Sequence, residues 1–118
     1  MKKTTSKNII VDLSFEFALE IIEFSEILEE KKKYVIARQI LKSGTSIGAN
    51  VREAQSAESR ADFIHKMKIA LKESEETEYW LLLCQYSKRY PSNEKLVDNN
   101  KELLKLLNTI IHSSQTKN

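Results

Sequence analysis

Turn-forming residues are scarce in this chain, which has two glycines and one proline among its 118 residues. β-Sandwiches and β-barrels need many tight turns, and those turns depend on glycine and proline. The scarcity therefore argues against an all-β fold and favours long helices. A hydrophobic content of 41% with 31% charged residues is typical of a globular protein, and this length suits one domain over residues 1–118.

Apolar residues recur at helical spacing in four segments, which are separated by short polar connections. The spacing predicts helices over residues 12–31, 33–57, 60–89 and 93–113, after a polar tail of residues 1–11. Helices joined by short connections lie antiparallel to their neighbours. We therefore predict an all-α fold, an antiparallel up-down-up-down four-helix bundle.

The second predicted helix contains both glycines, within a stretch (residues 43–50) whose composition is typical of a loop. One helical face nevertheless continues through it without a break: Ala37, Ile40, Leu41, Gly44, Ile47, Gly48, Val51 and Ala54. Each glycine costs a helix about 1 kcal/mol relative to alanine. We therefore expect a neighbouring backbone to come close to Gly44 and Gly48. A phosphate-binding loop is a weak alternative, because Gly48 is not followed by lysine and a hydroxyl residue.

Two of the predicted helices carry more apolar surface than a lone bundle can bury. The first has a core stripe that includes Phe17, and a second apolar row lies about 160° away from it. In the third, Tyr79–Cys84 is apolar on every side. Large exposed apolar patches mark protein interfaces. We therefore predict a homo-oligomer with these interface residues: Phe15, Leu19, Ile22, Tyr79, Trp80 and Leu83.

Charged residues occur in blocks, although the net charge is only +2. Seven acids and no base lie from Asp12 to Glu30, and six bases and no acid lie from Lys31 to Arg52. Such blocks are typical of solvated faces that attract one another within a fold or between subunits. Basic rows can also follow a phosphate backbone, so the following residues are candidate contacts to RNA or DNA: Lys31, Lys32, Lys33, Arg38, Lys42, His65, Lys68 and Lys72.

No complete catalytic or metal-binding arrangement can be assembled from this sequence. Cys84 lies on an apolar seam, where a thiol behaves as a small hydrophobic group. Asp62 and His65 are one helical turn apart but lack the further ligands of a bundle metal site, and Asp62 with Ser59 fits a capping box. A group of acids on the third helix is better explained as a solvated or ion-paired face: Glu73, Glu75, Glu76 and Glu78. We therefore expect a protein that is not an enzyme and needs no cofactor or metal.

Neither export nor membrane insertion is indicated. The apolar run after the basic start, residues 9–11, is too short for the core of a signal peptide. The longest apolar run, Tyr79–Cys84, is far shorter than a membrane span. We expect a cytoplasmic protein with a reduced Cys84 and no membrane partner.

Two stretches resemble a known family. Residues 39–54 (QILKSGTSIGANVREA) resemble the second-helix motif of the bacterial four-helix-bundle family encoded by intervening sequences within 23S ribosomal RNA genes, and residues 61–81 (ADFIHKMKIALKESEETEYWL) resemble its third-helix motif. The resemblance implies an antiparallel four-helix subunit in a homopentameric ring, with helix continuing through both glycines. It also implies these characteristic polar positions: Ser43, Asn50, Glu53, Asp62, Glu73, Glu76 and Trp80.

The resemblance brings no defined activity. A related branch, the accessory proteins of diversity-generating retroelements, is basic, pentameric and works with a reverse transcriptase and nucleic acid, a role that a net charge of +2 fits less well. Two hypotheses follow: a non-enzymatic oligomer that binds structured RNA or DNA as an accessory protein, and a protein-interaction or scaffold ring with no nucleic-acid role. A continuous basic surface favours the first hypothesis, and mixed charges favour the second.

Overall fold

Residues 8–116 are described by the computed structural model of the protein, and within them the secondary structure is helical, with no strand. Four helices follow one another: α1 (Ile9–Glu30), α2 (Tyr34–Ala54), α3 (Arg60–Tyr86) and α4 (Glu94–Thr116). Each packs against two others, α1 and α3 both contacting α2 and α4. The predicted all-α four-helix bundle is confirmed.

The first helix begins earlier than predicted. We expected helix from residue 12 after a polar tail, but α1 starts at Ile9, and Ile10 is only 3% exposed in the core. The side chain of Asn8, the residue before α1, donates a hydrogen bond to the Gln55 side chain at 2.8 Å. This hydrogen bond joins the start of α1 to the end of α2. The position at which α1 begins therefore depends on a contact with a neighbouring helix. Residues 1–7 of the predicted tail lie outside the described residues.

The other boundaries differ by a single turn or less. The second and third helices end at Ala54 and Tyr86, before the predicted residues 57 and 89, whereas α4 continues to Thr116 beyond the predicted residue 113. Helix ends depend on capping contacts that periodicity does not report. Apart from Leu41 of α2, which is 37% exposed, the predicted core stripes are buried or partly buried. Their largest fully buried members are as follows: Ile21, Phe24, Leu28, Ile40, Ile47, Met67, Leu81, Leu96, Leu103 and Leu107.

Both glycines lie inside α2, where it crosses α1. A Cβ atom at Gly48 would lie 3.2 Å from the backbone oxygen of Ser14, which confirms the expected close approach of a neighbouring backbone. At Gly44 the close neighbour is instead a side chain, because a Cβ atom there would lie 2.7 Å from Cγ1 of Ile21. The glycines therefore allow α1 and α2 to pack closely.

Buried polar side chains link α3 to the helices on either side of it. The hydroxyls of Ser43 and Thr77 lie 2.9 Å apart, and Thr77 donates to the Glu73 carbonyl at 2.7 Å. Ser74 donates to the side-chain oxygen of Asn100 at 2.7 Å, and the Asn100 amide returns a bond to the Ser74 carbonyl at 2.9 Å. A helix that slid along its neighbour would leave these buried groups unpaired, so they fix the register of the bundle.

Candidate nucleic-acid interface

One end of the bundle brings two basic connections together. The α1–α2 connection carries Lys31, Lys32 and Lys33, and the α3–α4 connection carries Lys88 and Arg89. The Lys33 ammonium lies 4.8 Å from the centre of the Tyr90 ring, so the two connections are side by side. We call these five cations the basic end. All of them except the half-buried Lys33 are exposed.

Sequence reasoning found three of the five cations of the basic end. The three lysines were among the predicted contacts, but Lys88 and Arg89 were not. The sequence does contain a sign of them, because two adjacent cations stand directly before Tyr90 and Pro91 in a connection between helices. We interpreted that segment only as the end of a helix. Lys88 and Arg89 reach the lysines only because the α3–α4 connection returns to the same end of the bundle.

The backbone of the first connection is unusual at Lys32. Its φ of 64° is left-handed, a conformation that normally favours glycine. The Lys32 N–H donates to the Glu29 carbonyl at 2.8 Å and the Lys33 N–H to the Leu28 carbonyl at 2.9 Å, which is the hydrogen-bond pattern of a Schellman motif. A lysine in this conformation costs about 1 kcal/mol relative to glycine. The chain therefore carries a positive charge at a position where glycine is more stable.

The basic end also has a structural explanation. The carboxyl ends of α1 and α3 both point to it, and cations stabilise helix carboxyl ends by about 0.3–1 kcal/mol each. The exposed acids Glu29, Glu30 and Glu94 lie at the same end. The positive charge therefore belongs to the two connections and does not extend over the whole end.

The other predicted basic contacts do not join the basic end. Arg38 and Lys42 are exposed on α2, whereas His65, Lys68 and Lys72 are exposed on α3. Because Ser43 lies beside Thr77 and the two helices are antiparallel, Arg38 and Lys68 are about 21 Å apart along the bundle. Of the eight predicted residues, three therefore lie at the basic end and five are distributed along α2 and α3.

Acidic side chains accompany the cations of α2 and α3. Burial, and then the charge of Glu76, raise the pKa of the Glu73 carboxyl, while Lys42 and Lys72 act in the opposite direction. Lys42 on α2 therefore faces an acid of α3 across the helix contact. The Trp80 indole donates to the Glu76 carboxylate at 3.1 Å, so this acid is engaged as well. Charges along these two helices are mixed.

Most of the polar positions that the resemblance singled out make hydrogen bonds within the subunit. Ser43 bonds Thr77 in the core, and the Asn50 side chain donates to the Ser46 carbonyl at 2.9 Å. At the start of α3, the Asp62 N–H donates to the Ser59 hydroxyl at 3.0 Å, which confirms Ser59 as the N-cap. The remaining position on α2, Glu53, is exposed.

The Asp62 side chain completes the cap. It accepts a bond from the Glu58 N–H at 3.2 Å and pairs with Lys66 at 3.1 Å. The Glu58 N–H, and then the Lys66 ammonium, lower the pKa of the Asp62 carboxyl. Its geometry is therefore that of a helix cap.

The Cys84 thiol and the possible metal ligands do not form a reactive site in the described part of the chain. Cys84 is buried, and burial raises the pKa of its thiol to about 11, so the nucleophilic thiolate is scarce at neutral pH. Between residues 8 and 116, no three histidine, cysteine, aspartate or glutamate side chains come together as a metal site. In the same range, no helix has the length and apolar character needed to cross a membrane.

The predicted interface residues lie on two different sides of the subunit. On α1, Phe15, Leu19 and Ile22 are 37%, 40% and 39% exposed. Leu41 of α2, which we predicted on the buried face of that helix, is exposed. A cavity bounded by α1 and α2 joins Phe15 to Arg52, whose guanidinium lies 6.0 Å from the Phe15 ring centre. We call this surface the α1/α2 face.

The second apolar surface is on α3. Tyr79 is 58% exposed and Leu83 is 37% exposed, and the unpredicted Tyr86, at 78%, continues the same row. Trp80 is half-buried, with its ring 5.2 Å from that of Tyr79 in an edge-on contact. We call this row the α3 face. The two faces are separate, so one subunit presents two distinct apolar surfaces.

Comparison with known proteins gives a family but no activity. A crystal structure of a protein of unknown function from the S23 ribosomal protein family of Bacteroides thetaiotaomicron VPI-5482 superimposes with a TM-score of 0.84. It is 47% identical in sequence, and the alignment covers 89% of this chain and 96% of that one. No curated protein matches the sequence. Residues 6–111 match the family described as 23S rRNA-intervening sequence protein, and the chain therefore belongs to that family.

Proposed function

We propose that the protein is a non-enzymatic homo-oligomer that binds the phosphate backbone of structured RNA or DNA in the cytoplasm. The observation that carries the proposal is the basic end, where two connections place five cations together. Lysine and arginine bind phosphates without reading sequence, and the resulting affinity depends on salt. The left-handed Lys32 supports a role for charge there, because glycine would serve the turn better.

Assembly strengthens this proposal. A two-fold dimer uses the same surface on both subunits, whereas two different complementary surfaces produce a ring or a filament. The α1/α2 face and the α3 face are two different exposed apolar surfaces, which favours a ring or filament over a two-fold dimer. In a ring, every subunit has the same orientation relative to the axis, so all basic ends lie on one rim. Several weak phosphate contacts made at once by one ring give a higher overall affinity than a single contact does. The subunit number of five comes from the family resemblance alone.

The test is a titration of a fluorescent RNA hairpin, read by anisotropy at low and moderate salt. We expect Lys88→Glu combined with Arg89→Glu to weaken binding at least about tenfold, since two phosphate contacts become repulsive. The matched control is Lys101→Glu combined with Lys105→Glu on α4, where both residues are exposed and outside the basic end. We expect the control pair to retain most of the affinity.

Two outcomes would contradict the proposal. One is an equal loss of affinity in both pairs of variants, which indicates only general attraction by net charge. The other is the absence of binding even at low salt. A separate variant, Lys68→Glu with Lys72→Glu, tests the α3 row that the sequence also predicted. Loss of RNA binding in that variant alone would show that the phosphate contact lies on α3 and not at the basic end.

The second candidate function is a protein-interaction or scaffold ring with no nucleic-acid role. The mixed charges on α2 and α3 favour it, since Lys42 faces Glu73 and Glu76 binds Trp80. The main proposal requires both assembly and RNA binding, and light scattering tests assembly on its own. An oligomer that binds no RNA supports the scaffold, whereas a monomer at micromolar concentration contradicts both candidates.

A further inference from the structure

A groove runs between α1 and α4, on the side of α1 opposite the α1/α2 face. The contact between these two helices is the least extensive of the four in the bundle. Two cavities of about 190 Å³ and about 210 Å³ follow one another along it, and both are bounded by Glu20 and Lys95. Four buried side chains of the core lie at their base, each at most 2% exposed: Phe17, Phe24, Leu96 and Leu103.

The rim of the groove on α1 combines exposed apolar and acidic side chains. Leu13 and Ile27 line the two cavities and are 38% and 43% exposed. They are separated by about 21 Å along the helix, which equals the length of about four helical turns. Between them, Glu16, Glu20 and Glu23 also line the groove.

One cation of α4, Lys95, lies against the α1 wall of the groove. Glu20 accepts a hydrogen bond from the Asn99 side chain at 3.1 Å and pairs with Lys95 at 3.3 Å. The α1 segment from Asp12 to Glu30 contains no base at all. The α1 wall is therefore acidic in a protein whose net charge is positive.

We propose that the α1/α4 groove binds a basic amphipathic helix of a partner protein. Such a helix places apolar residues three, four and seven positions apart, which suits the exposed apolar side chains of Leu13 and Ile27 at the two ends of the groove. Lysine or arginine on its flanks would face the acidic wall of α1. Nucleic acid does not suit this groove, because the wall repels phosphate. The inference does not rest on the basic end, so it can fail or succeed independently of RNA binding.

The probe is a fluorescein-labelled amphipathic peptide of leucine and lysine, about five helical turns long. Binding to the full-length protein is measured by fluorescence anisotropy. We expect saturable binding that weakens as salt is added. Two control peptides define the chemistry: one with the same residues in scrambled order, and one with glutamate in place of lysine. Both should bind at least about tenfold more weakly, because each lacks one of the two complementary features.

Matched variants locate the binding site. Glu23 lines the groove, whereas Glu26, about one turn further along α1, is an exposed acid that does not line it. Likewise, Ile27 lines the groove, and Val35 is an exposed aliphatic side chain on α2 that does not line it. We expect Glu23→Lys and Ile27→Gln to weaken peptide binding about fivefold to tenfold, as loss of an anchor does. Glu26→Lys and Val35→Gln should change it less than about twofold.

Three results would overturn the inference. The first is an equal effect of the groove variants and their controls. The second is equal binding of the ordered and scrambled peptides. The third is a lower oligomer mass for Glu23→Lys or Ile27→Gln by light scattering, which would identify a second copy of this chain as the occupant. Binding of the RNA hairpin should be unaffected by Ile27→Gln, so failure of one proposal leaves the other measurable.

Discussion

Replacement of Gly44 by alanine tests the packing of α1 against α2. The added methyl group would lie 2.7, 2.8 and 2.9 Å from Cγ1, Cγ2 and Cδ1 of Ile21, which is fully buried. Alanine favours the helix by about 1 kcal/mol relative to glycine. Overpacking of a filled core costs about 1–3 kcal/mol, and three contacts below 3.0 Å place this site at the upper end. We therefore expect a net loss of about 2 kcal/mol in the free energy of unfolding.

A double-mutant cycle identifies the contact responsible. Ile21→Ala alone should cost about 2–5 kcal/mol, because it leaves a cavity. In the double variant, the methyl group added by Gly44→Ala fills part of that cavity. The double variant should therefore be more stable by about 2 kcal/mol than the sum of the two single changes predicts. Ala49→Gly at an exposed position on α2 measures the helix propensity alone.

Urea unfolding followed by circular dichroism measures these differences. All variants need the same protein concentration, since assembly contributes to the stability of an oligomer. A Gly44→Ala variant more stable than the native protein by about 1 kcal/mol would refute the reasoning, because propensity alone would then decide. Strict additivity in the cycle would show that Ile21 is not the neighbour that resists the methyl group.

Three further measurements follow from the structure. Lys32→Gly should stabilise the protein by about 1 kcal/mol and raise Tm by about 4 °C, since glycine adopts a φ of 64° without strain; an unchanged Tm would contradict this. Burial and Glu76 raise the pKa of Glu73 above 4.5, so the native state keeps this proton after the unfolded chain has lost it, and stability falls as the pH rises through that window. Glu73→Gln should therefore reduce the fall in urea stability between mildly acidic and neutral pH, and an unchanged pH dependence would exclude this cause. The thiol of Cys84, with its pKa raised to about 11, should resist a thiol reagent at neutral pH until urea unfolds the protein, and rapid reaction of the native protein would show that the site opens.

Helix number and helix faces could be predicted because they depend on local periodicity. The helix through Gly44 and Gly48 is an example, since the apolar phase on either side outweighs the loop-like composition. The start of α1 could not be predicted in the same way. Asn8 contacts Gln55, which is distant in sequence, and no local pattern reports that bond.

The candidate site shows the same division between local and long-range information. The three lysines of the first connection are adjacent in sequence, so their cluster was visible. Their proximity to Lys88 and Arg89 depends on the direction of α3 and on the stacking of Lys33 against Tyr90. Which cations face acids also depends on register. That register is set by buried contacts such as the one between Ser43 and Thr77, whose partners could not be predicted from spacing.

The limited contact between α1 and α4 also bears on how the bundle folds and opens. Every other helix contact joins consecutive segments and closes a short loop, whereas this one joins the first helix to the last and closes the longest loop. It has the largest entropy of closure and the least packing, so it forms late and separates at the lowest free energy. Hydrogen exchange at α1 and α4 should therefore be faster than at α2 and α3. A seam that opens in this way lets the groove widen around an incoming helix while the rest of the bundle remains folded.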